Sequence, residues 1–244
     1  MSRPRMPNLR LTIEFDGTNY AGWQYQPRSQ TVQGEIESAA GKVLQQKVTI
    51  YGCSRTDAGV SARAYVANLH TDSVLSAERL RLALNHYLPD DILVLSIAKA
   101  GPEFHARHSA LRKNYAYRIV RSRSPLRRRH AWEFWFKLDV EKMRKAASLF
   151  EGRRDFQPFC QTRDAHGCCT VESVLVEPAG EEVTVTVRGD RFLYKMVRRI
   201  VGALVACGSG RLTQKDIRAA LAGRPFPPFQ TAPAHGLLLD SVEY

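Results

Sequence analysis

The hydrophobic pattern of the first hundred residues changes repeatedly between a period of two and a period near 3.6. Alternating residues over 9–15 predict a strand, which the turn signal Asp16-Gly17 ends. Thr31 and Ser76 are residue types that cap helices, and apolar residues at helical spacing follow each of them. Apolar and β-branched runs predict three more strands, over 48–53, 63–70 and 92–98. The predicted order is β-α-β-β-α-β.

The second half repeats this order with insertions. Asp139 and Thr213 are predicted to cap two short helices. Alternating runs predict four strands, over 114–121, 171–176, 182–187 and 237–242, with a hairpin turn at Ala179-Gly180. A longer helix is predicted from apolar residues on one helical face, namely Phe192, Met196, Ile200, Val201 and Leu204.

The repeated order predicts an α+β fold of two tandem β-α-β-β-α-β halves, of the ferredoxin-like or RNA-recognition type. The halves are predicted to comprise residues 1–104 and 105–244. They would form a mostly antiparallel sheet with helices on one face and the other face open. RNA-recognition domains present such an open face to nucleotides, so we expect a basic cleft for nucleic acid. No RNP-type aromatic segment is present, so these are not ordinary RNA-recognition modules.

The charge balance points to a polyanionic partner. The 244 residues carry a formal net charge of +12, which favours nucleic acid over an anionic membrane because no strongly amphipathic basic helix is evident. No run of about 18 apolar residues exists, so no transmembrane helix is expected. The five cysteines are odd in number, and Cys168, Cys169 and nearby His166 lack zinc-ligand spacing. We therefore expect reduced thiols, no metal and a cytoplasmic protein.

The stretch 51–62 carries the candidate chemistry. A predicted strand ends in small residues, and Arg55, Asp57 and Gly59 follow at alternate positions. Small residues around a charge pair predict a tight turn that a ligand or a second backbone approaches closely. A carboxylate beside a guanidinium is favoured in its ionised form, which makes Asp57 a candidate nucleophile or base rather than a general acid. For an isolated Arg-x-Asp, the alternative is a surface ion pair in a loop.

Eight ordered segments resemble the tRNA pseudouridine synthase A family, and together they span nearly the whole chain. They are 15–20 with 22–24, 31–33, 54–60, 104–107 with Ser109, Arg112 with Tyr115 and Tyr117, Gly152 with 155–156, 192–202, and 232–233 with 236–239. The resemblance implies isomerisation of uridine to pseudouridine at positions 38, 39 and 40, in the anticodon stem-loop of tRNA. It also implies a homodimer and no cofactor, and the sequence has no Walker loop and no dinucleotide fingerprint.

Site residues follow from the same resemblance. Asp57 would be the catalytic residue, by covalent attack or by proton abstraction. Arg55 would fill the space of the flipped base, Tyr115 would stack on the target uracil, Arg198 would pair with Asp57, and Leu237 would form an apolar wall of the pocket. A tRNA-contact loop is implied for Phe104, His105, Ala106, Arg107 and His108. A basic run expected to meet phosphates consists of Arg121, Arg123, Arg127, Arg128, Arg129 and His130.

The chain departs from the family pattern at four positions. Ser61 replaces a usual His, Ser54 a common Gly, His108 a usual Phe, and Glu172 a frequent Arg. The first and third departures concern RNA docking rather than the reaction. Three alternatives remain open: an RNA-binding protein without activity, a glycoside hydrolase that uses Asp57, and a synthase for a different RNA. A hydrolase usually needs two facing carboxylates, and no partner motif is evident.

Overall fold

The computed structural model describes residues 6–161 and 167–244. The chain divides into two compact units: unit 1 is Met1–Leu111 with Leu239–Tyr244, and unit 2 is Arg112–Leu238. The described residues form the following helices and strands: β1 (Asn8–Phe15), α1 (Val32–Leu44), β2 (Tyr51–Gly52), β3 (Ser61–His70), α2 (Ala77–Tyr87), β4 (Ile92–Ala100), β5 (Arg112–Val120), β6 (Trp132–Glu133), α3 (Val140–Ala147), β7 (Gly152–Asp155), β8 (Cys168–Ala179), β9 (Glu182–Gly189), α4 (Met196–Gly208), α5 (Gln214–Leu221) and β10 (Leu237–Glu243).

Unit 1 follows the predicted order of strands and helices. Its strands are arranged β4-β1-β3-β10, β2 also pairs with β3, and β1 is antiparallel to both of its neighbours. Both predicted helix caps are confirmed, because the Thr31 hydroxyl accepts from the N–H of Gly34 and the Ser76 hydroxyl from that of Arg79. The core contains the fully buried side chains of Leu11, Ile13, Ile36, Tyr65, Leu69, Leu80 and Leu84.

The predicted strand over 48–53 is too long, because only Tyr51–Gly52 pair with β3. Side chains of α1 satisfy the backbone of Ile50 instead. Its N–H donates to Glu37 Oε1 at 2.9 Å, and its carbonyl accepts from Gln33 Nε2 at 3.2 Å. Helix side chains therefore replace the hydrogen bonds that a neighbouring strand would supply.

Unit 2 is an antiparallel sheet in the order β5-β9-β8-β7, with the short β6 parallel to β5. Buried and half-buried residues alternate along β5 and β9, and α3 packs against β8 and α4. Asp139 and Thr213 cap α3 and α5 as predicted. We call the side of the sheet with the exposed and half-exposed residues the open face; it carries Arg112, Asn114, Ala116, Arg118, Glu172, Leu175, Glu177, Glu182, Thr184, Thr186 and Arg188.

Two parts of unit 2 differ from the sequence prediction. The strands β6 and β7 are not predicted, and the long helix begins at Met196 rather than near Phe192. Lys195 precedes the helix with a positive φ of 60°, a left-handed conformation in which a right-handed helix cannot continue. The backbone N–H of Met196 donates to Leu193 O at 3.0 Å, so the preceding residues form a turn.

The predicted fold class is confirmed, because both units combine helices with mostly antiparallel strands. Among residues 6–161 and 167–244, no helix is both long and apolar enough to cross a membrane. Within the same ranges, no group of three His, Cys, Asp or Glu side chains is arranged to hold a metal ion. His166 lies outside the described residues, whereas Cys168 is exposed and Cys169 is buried.

Candidate active site

Asp57 lies in the loop that joins β2 to β3 in unit 1. Its side chain is half-buried, and Arg55, two residues earlier in the same loop, is exposed. The loop closes in a turn where the N–H of Val60 donates to Asp57 O at 3.2 Å. The carboxylate is therefore carried by a short turn that is partly shielded from solvent.

The segment that follows β1 holds this loop through backbone contacts. The N–H of Trp23 donates to Thr56 O at 3.2 Å, and the N–H of Gly59 donates to Tyr20 O at 3.3 Å. Two glycines make the approach possible. A Cβ on Gly17 would lie 2.0 Å from Val60 O, and a Cβ on Gly22 would lie 2.5 Å from Thr56 O. Only glycine fits at either position without backbone movement.

A stacked aromatic pair lies beneath the start of the loop. The rings of Trp23 and Tyr65 stack with centroids 4.0 Å apart. The Tyr65 hydroxyl donates to Ser54 O and accepts from the N–H of Ser54. Sequence reasoning missed this role of Tyr65, although a tyrosine within an otherwise apolar strand signals a buried hydroxyl that needs a partner.

Ser61, where the family usually has His, joins β3 to the turn after β1. Its hydroxyl accepts from the N–H of Gly17 at 3.0 Å and lies 3.4 Å from Asp16 Oδ1, to which it donates. Nearby, the Tyr20 hydroxyl donates to Asp91. Burial and the Asp91 carboxylate raise the pKa of Tyr20 well above its ordinary value. Tyr20 is therefore an uncharged hydrogen-bond donor at neutral pH.

The implied tRNA-contact loop, Phe104 to His108, is held by two buried asparagines at the sheet of unit 1. Asn8 Nδ2 donates to Phe104 O at 2.7 Å and to Gly101 O at 3.0 Å. Asn68 Oδ1 accepts from the N–H of Ala106 at 2.8 Å, and Asn68 Nδ2 donates to Asn8 Oδ1 at 3.1 Å. Both asparagines are buried, so this network fixes the backbone of the loop.

Within this loop, the exposed residues carry the side chains that are accessible to a ligand. Ala106 is buried, whereas Arg107 and His108 are exposed. His105 Nδ1 accepts from the N–H of Arg107 at 3.1 Å. Burial, together with the charges of His108, Arg107 and His70, lowers the pKa of His105. His105 is therefore a neutral ring near pH 7 that orders the loop, while Arg107 carries the positive charge.

We expect Asn68→Ala to destabilise the protein by about 1–3 kcal/mol, because it leaves the buried N–H of Ala106 without its acceptor. Thermal or urea unfolding measures the change. Asn19→Ala is the control, since Asn19 is exposed and its side chain makes one long hydrogen bond of 3.3 Å. Equal effects of the two substitutions would contradict the assigned role of Asn68.

In unit 2, Tyr115 and Tyr117 lie on the buried side of β5. Tyr115 is opposite Val187 of β9, and its ring meets the half-buried Phe192 edge-on with centroids 5.2 Å apart. The Tyr117 hydroxyl donates to Pro233 O at 2.8 Å. Burial raises the pKa of Tyr117, and the charge of Arg198 opposes this rise. Tyr117 is thus a neutral side chain that links β5 to the segment before β10.

The adjacent arginines of α4 have different surroundings. Arg198 Nε donates to Ala232 O at 2.8 Å, and the N–H of Ala232 donates back to Arg198 O at 3.1 Å. The Arg199 guanidinium stacks 5.0 Å above the ring of Phe229 and donates to Pro158 O. Burial lowers the pKa of Arg199. Neither arginine is simply solvated, and Arg199 is part of the packing of unit 2.

The candidate residues fall into three groups. Arg55 and Asp57 share one loop of unit 1, and a second loop of unit 1 carries the implied tRNA contacts. Tyr115 and Arg198 belong to unit 2, where both lie near Tyr117. Leu237, also of unit 2, is buried at the start of β10. The catalytic and binding roles of all these residues stay predictions.

Comparison with known proteins identifies the family. The sequence model of the family described as tRNA pseudouridine synthase matches residues 11–109 and 146–244. The chain is similar to tRNA pseudouridine synthase A of Moorella thermoacetica, with 42% identity over 98% of this chain and 100% of the relative. It is also similar to tRNA pseudouridine synthase A 2 of Clostridium perfringens, with 38% identity over 98% and 100%. The chain is therefore a member of the tRNA pseudouridine synthase family, isomerases that act on tRNA.

Proposed function

We propose that this enzyme converts uridines 38, 39 and 40 in the anticodon stem-loop of tRNA to pseudouridine, and that Asp57 is its catalytic residue. The observation that carries the proposal is the half-buried Asp57 carboxylate on a turn that Gly17 and Gly22 allow the neighbouring backbone to approach closely. A carboxylate fixed in this way is placed for attack on, or proton removal from, a nucleotide brought to it.

The reaction needs only the substrate and this chain. The glycosidic C–N bond of the uridine breaks, the uracil turns, and a C–C bond forms between the same base and sugar. No atom is gained or lost, so no cofactor is required. Asp57 either bonds covalently to the nucleoside or removes a sugar proton so that the base leaves.

The other candidate residues support base flipping and stacking in this proposal. The target must leave the base stack before one carboxylate reaches it. Arg55 is exposed on the Asp57 loop and is suited to fill the space that the base leaves. We assign Tyr115 to stacking on the uracil, Arg198 to pairing with Asp57, and Leu237 to the apolar wall.

Binding of tRNA is assigned to basic exposed segments. Arg107 and His108 are exposed on the loop that Asn8 and Asn68 hold. In unit 2, the exposed residues Arg127 to His130 form a separate basic segment. We further propose that the enzyme is a homodimer, as the family resemblance implies, and that it is cytoplasmic, because its cysteine content favours reduced thiols.

The test of the proposed function uses unmodified tRNA transcripts and maps pseudouridine after incubation with the purified protein. Pseudouridine at positions 38 to 40 is the expected result, and transcripts with cytidine at these positions are the control. Release of free uracil would favour a hydrolase. Modification elsewhere would favour another RNA site, and binding without modification would favour an RNA-binding protein without activity.

We expect the double substitution Arg128→Ala with Arg129→Ala to weaken binding of all tRNAs alike. It should flatten the dependence of log K on log salt by roughly 0.7–0.9 for each lost phosphate contact. Filter binding between low and moderate salt measures the slope. The control is Lys47→Ala with Arg79→Ala, which removes the same charge from exposed positions of unit 1. An unchanged slope in the first variant would refute the assignment.

A further inference from the structure

Three charged side chains form a compact cluster on the open face of unit 2. Glu172 of β8 accepts from Arg112 Nε at 2.5 Å through one carboxylate oxygen and from Arg188 Nε at 2.8 Å through the other. Each side chain is only partly buried, with 31% of Glu172, 40% of Arg112 and 36% of Arg188 exposed. A single carboxylate thus holds two guanidinium groups near solvent.

The strand register explains why the three groups meet. Asn114 of β5 is opposite Arg188 of β9, and Ser173 of β8 is opposite Arg188 from the other side. The register of β8 shifts between Val171 and Ser173, which is where Glu172 lies. An irregularity of this kind redirects a side chain, and here it brings the carboxylate to both arginines.

The surroundings of the cluster suit a nucleic-acid backbone. The open face near the cluster carries the polar Asn114, Thr184 and Thr186, the small Ala116 and the exposed Leu175, with the carboxylates of Glu177 and Glu182 further along the strands. Hydroxyl and amide groups of this type commonly accompany arginine at phosphate and sugar contacts. Arginine binds phosphate and carboxylate with the same fork geometry. The Glu172 carboxylate thus lies between two guanidinium groups, each of which is also able to bind a phosphate.

Exchange of one anion for the other is physically reasonable here. A solvent-exposed ion pair adds little stability, because water screens it and both side chains lose freedom. The hydrogen bonds of Arg188 and Arg112 lower the pKa of Glu172, so the carboxylate stays charged at neutral pH. The Glu172 side chain is exposed enough to turn toward solvent, so another anion is able to take its place beside the arginines.

We propose that Arg112 and Arg188 form a phosphate-binding site for the RNA backbone, and that Glu172 is an internal competitor which the tRNA displaces when it docks. The inference rests on the proposed function, because it takes tRNA as the ligand. Glu172 thereby lowers the affinity of this site for a phosphate. Only an RNA that also makes the other contacts of the correct tRNA binds strongly enough to displace the carboxylate. It is a specificity-determining residue rather than a catalytic one.

The test compares Glu172→Gln with Glu177→Gln. Glu177 is exposed on the same strand and lies outside the cluster of Arg112, Glu172 and Arg188. Glu177→Gln therefore removes the same formal charge without touching the ion pairs of the cluster. We expect Glu172→Gln to tighten binding of a purified tRNA transcript by about two- to fivefold. The dependence of log K on log salt should become steeper by roughly 0.7–0.9. In the wild type, the displaced Glu172 carboxylate takes up a cation when tRNA binds, and this uptake offsets part of the counterion release; in Glu172→Gln it does not occur. Glu177→Gln should change neither quantity by as much.

A double-mutant cycle separates competition from a general charge effect. Adding Arg112→Gln should therefore weaken binding more in the Glu172→Gln protein, where the arginine is released, than in the Glu177→Gln protein, where Glu172 still holds it. Weaker binding by Glu172→Gln, or equal effects of both glutamate variants, overturns the proposal. Pseudouridine formation is measured on the same proteins. A shift in affinity without any product would contradict the proposed function alone, and product without the shift would contradict this inference alone.

Discussion

Asp57→Asn is expected to lower the rate of pseudouridine formation by at least about 10²-fold, while the protein stays folded and binds tRNA as before. Asparagine has the size of aspartate but neither attacks as a carboxylate nor removes a proton. Loss of a general base lowers rates by about 10²–10⁴-fold, and loss of a nucleophile reaches on the order of 10⁶-fold. Single-turnover measurement of product with saturating enzyme gives the rate directly.

The size of this loss also bears on the mechanism. A residual rate near 10⁻⁶ of the wild type favours covalent attack, and one near 10⁻³ favours proton abstraction. Asp72→Asn is the matched control, because Asp72 is exposed in unit 1 and lies outside the Asp57 loop. Full activity of Asp57→Asn would remove Asp57 from the catalytic role.

Gly17→Ala is expected to have the largest effect on stability. The added Cβ would lie 2.0 Å from Val60 O and 2.5 Å from Val60 C, and both atoms are backbone. Overpacking of this kind typically costs 1–3 kcal/mol, occasionally more; because the clash involves backbone, we expect a loss of more than about 3 kcal/mol. A protein of this size would then melt roughly 6–12 °C lower.

The same substitution should lower activity beyond its effect on folding, because Val60 belongs to the turn that carries Asp57. Activity is therefore measured well below the melting temperature of the variant. Gly101→Ala is the control, since a Cβ at Gly101 meets nothing within 4 Å. A melting temperature of Gly17→Ala close to that of the control would show that the turn adapts, contrary to this account.

The sequence predicts the regular parts of the fold well and the irregular parts poorly. The structure confirms all four predicted helix caps, Thr31, Ser76, Asp139 and Thr213. These caps are local signals, because the capping oxygen accepts from an N–H only three residues away. The strand over 48–53 is overpredicted because hydrogen bonds from α1 satisfy Ile50. That outcome depends on tertiary packing, which local hydrophobic periodicity does not report.

The candidate site shows the same division. Arg55, Asp57 and Gly59 are recognisable from their spacing and from the family resemblance, whereas Asn8 and Asn68 are not. These two asparagines interact with each other across 60 positions and with loop residues 38 to 96 positions away. A single asparagine in a strand pattern gives no sign of such partners. Their role therefore becomes visible only when the strands are paired.

The contrasting surroundings of Arg198 and Arg199 affect how mutagenesis of α4 should be interpreted. Arg199 clamps Phe229 and Pro158, whereas Arg198 holds Ala232. A scan that records activity alone would score both arginines as essential. A melting temperature recorded for each variant would show whether an inactive Arg199 variant has lost its folded structure. A variant of α4 should therefore be assigned a role in the reaction only if its melting temperature matches that of the wild type.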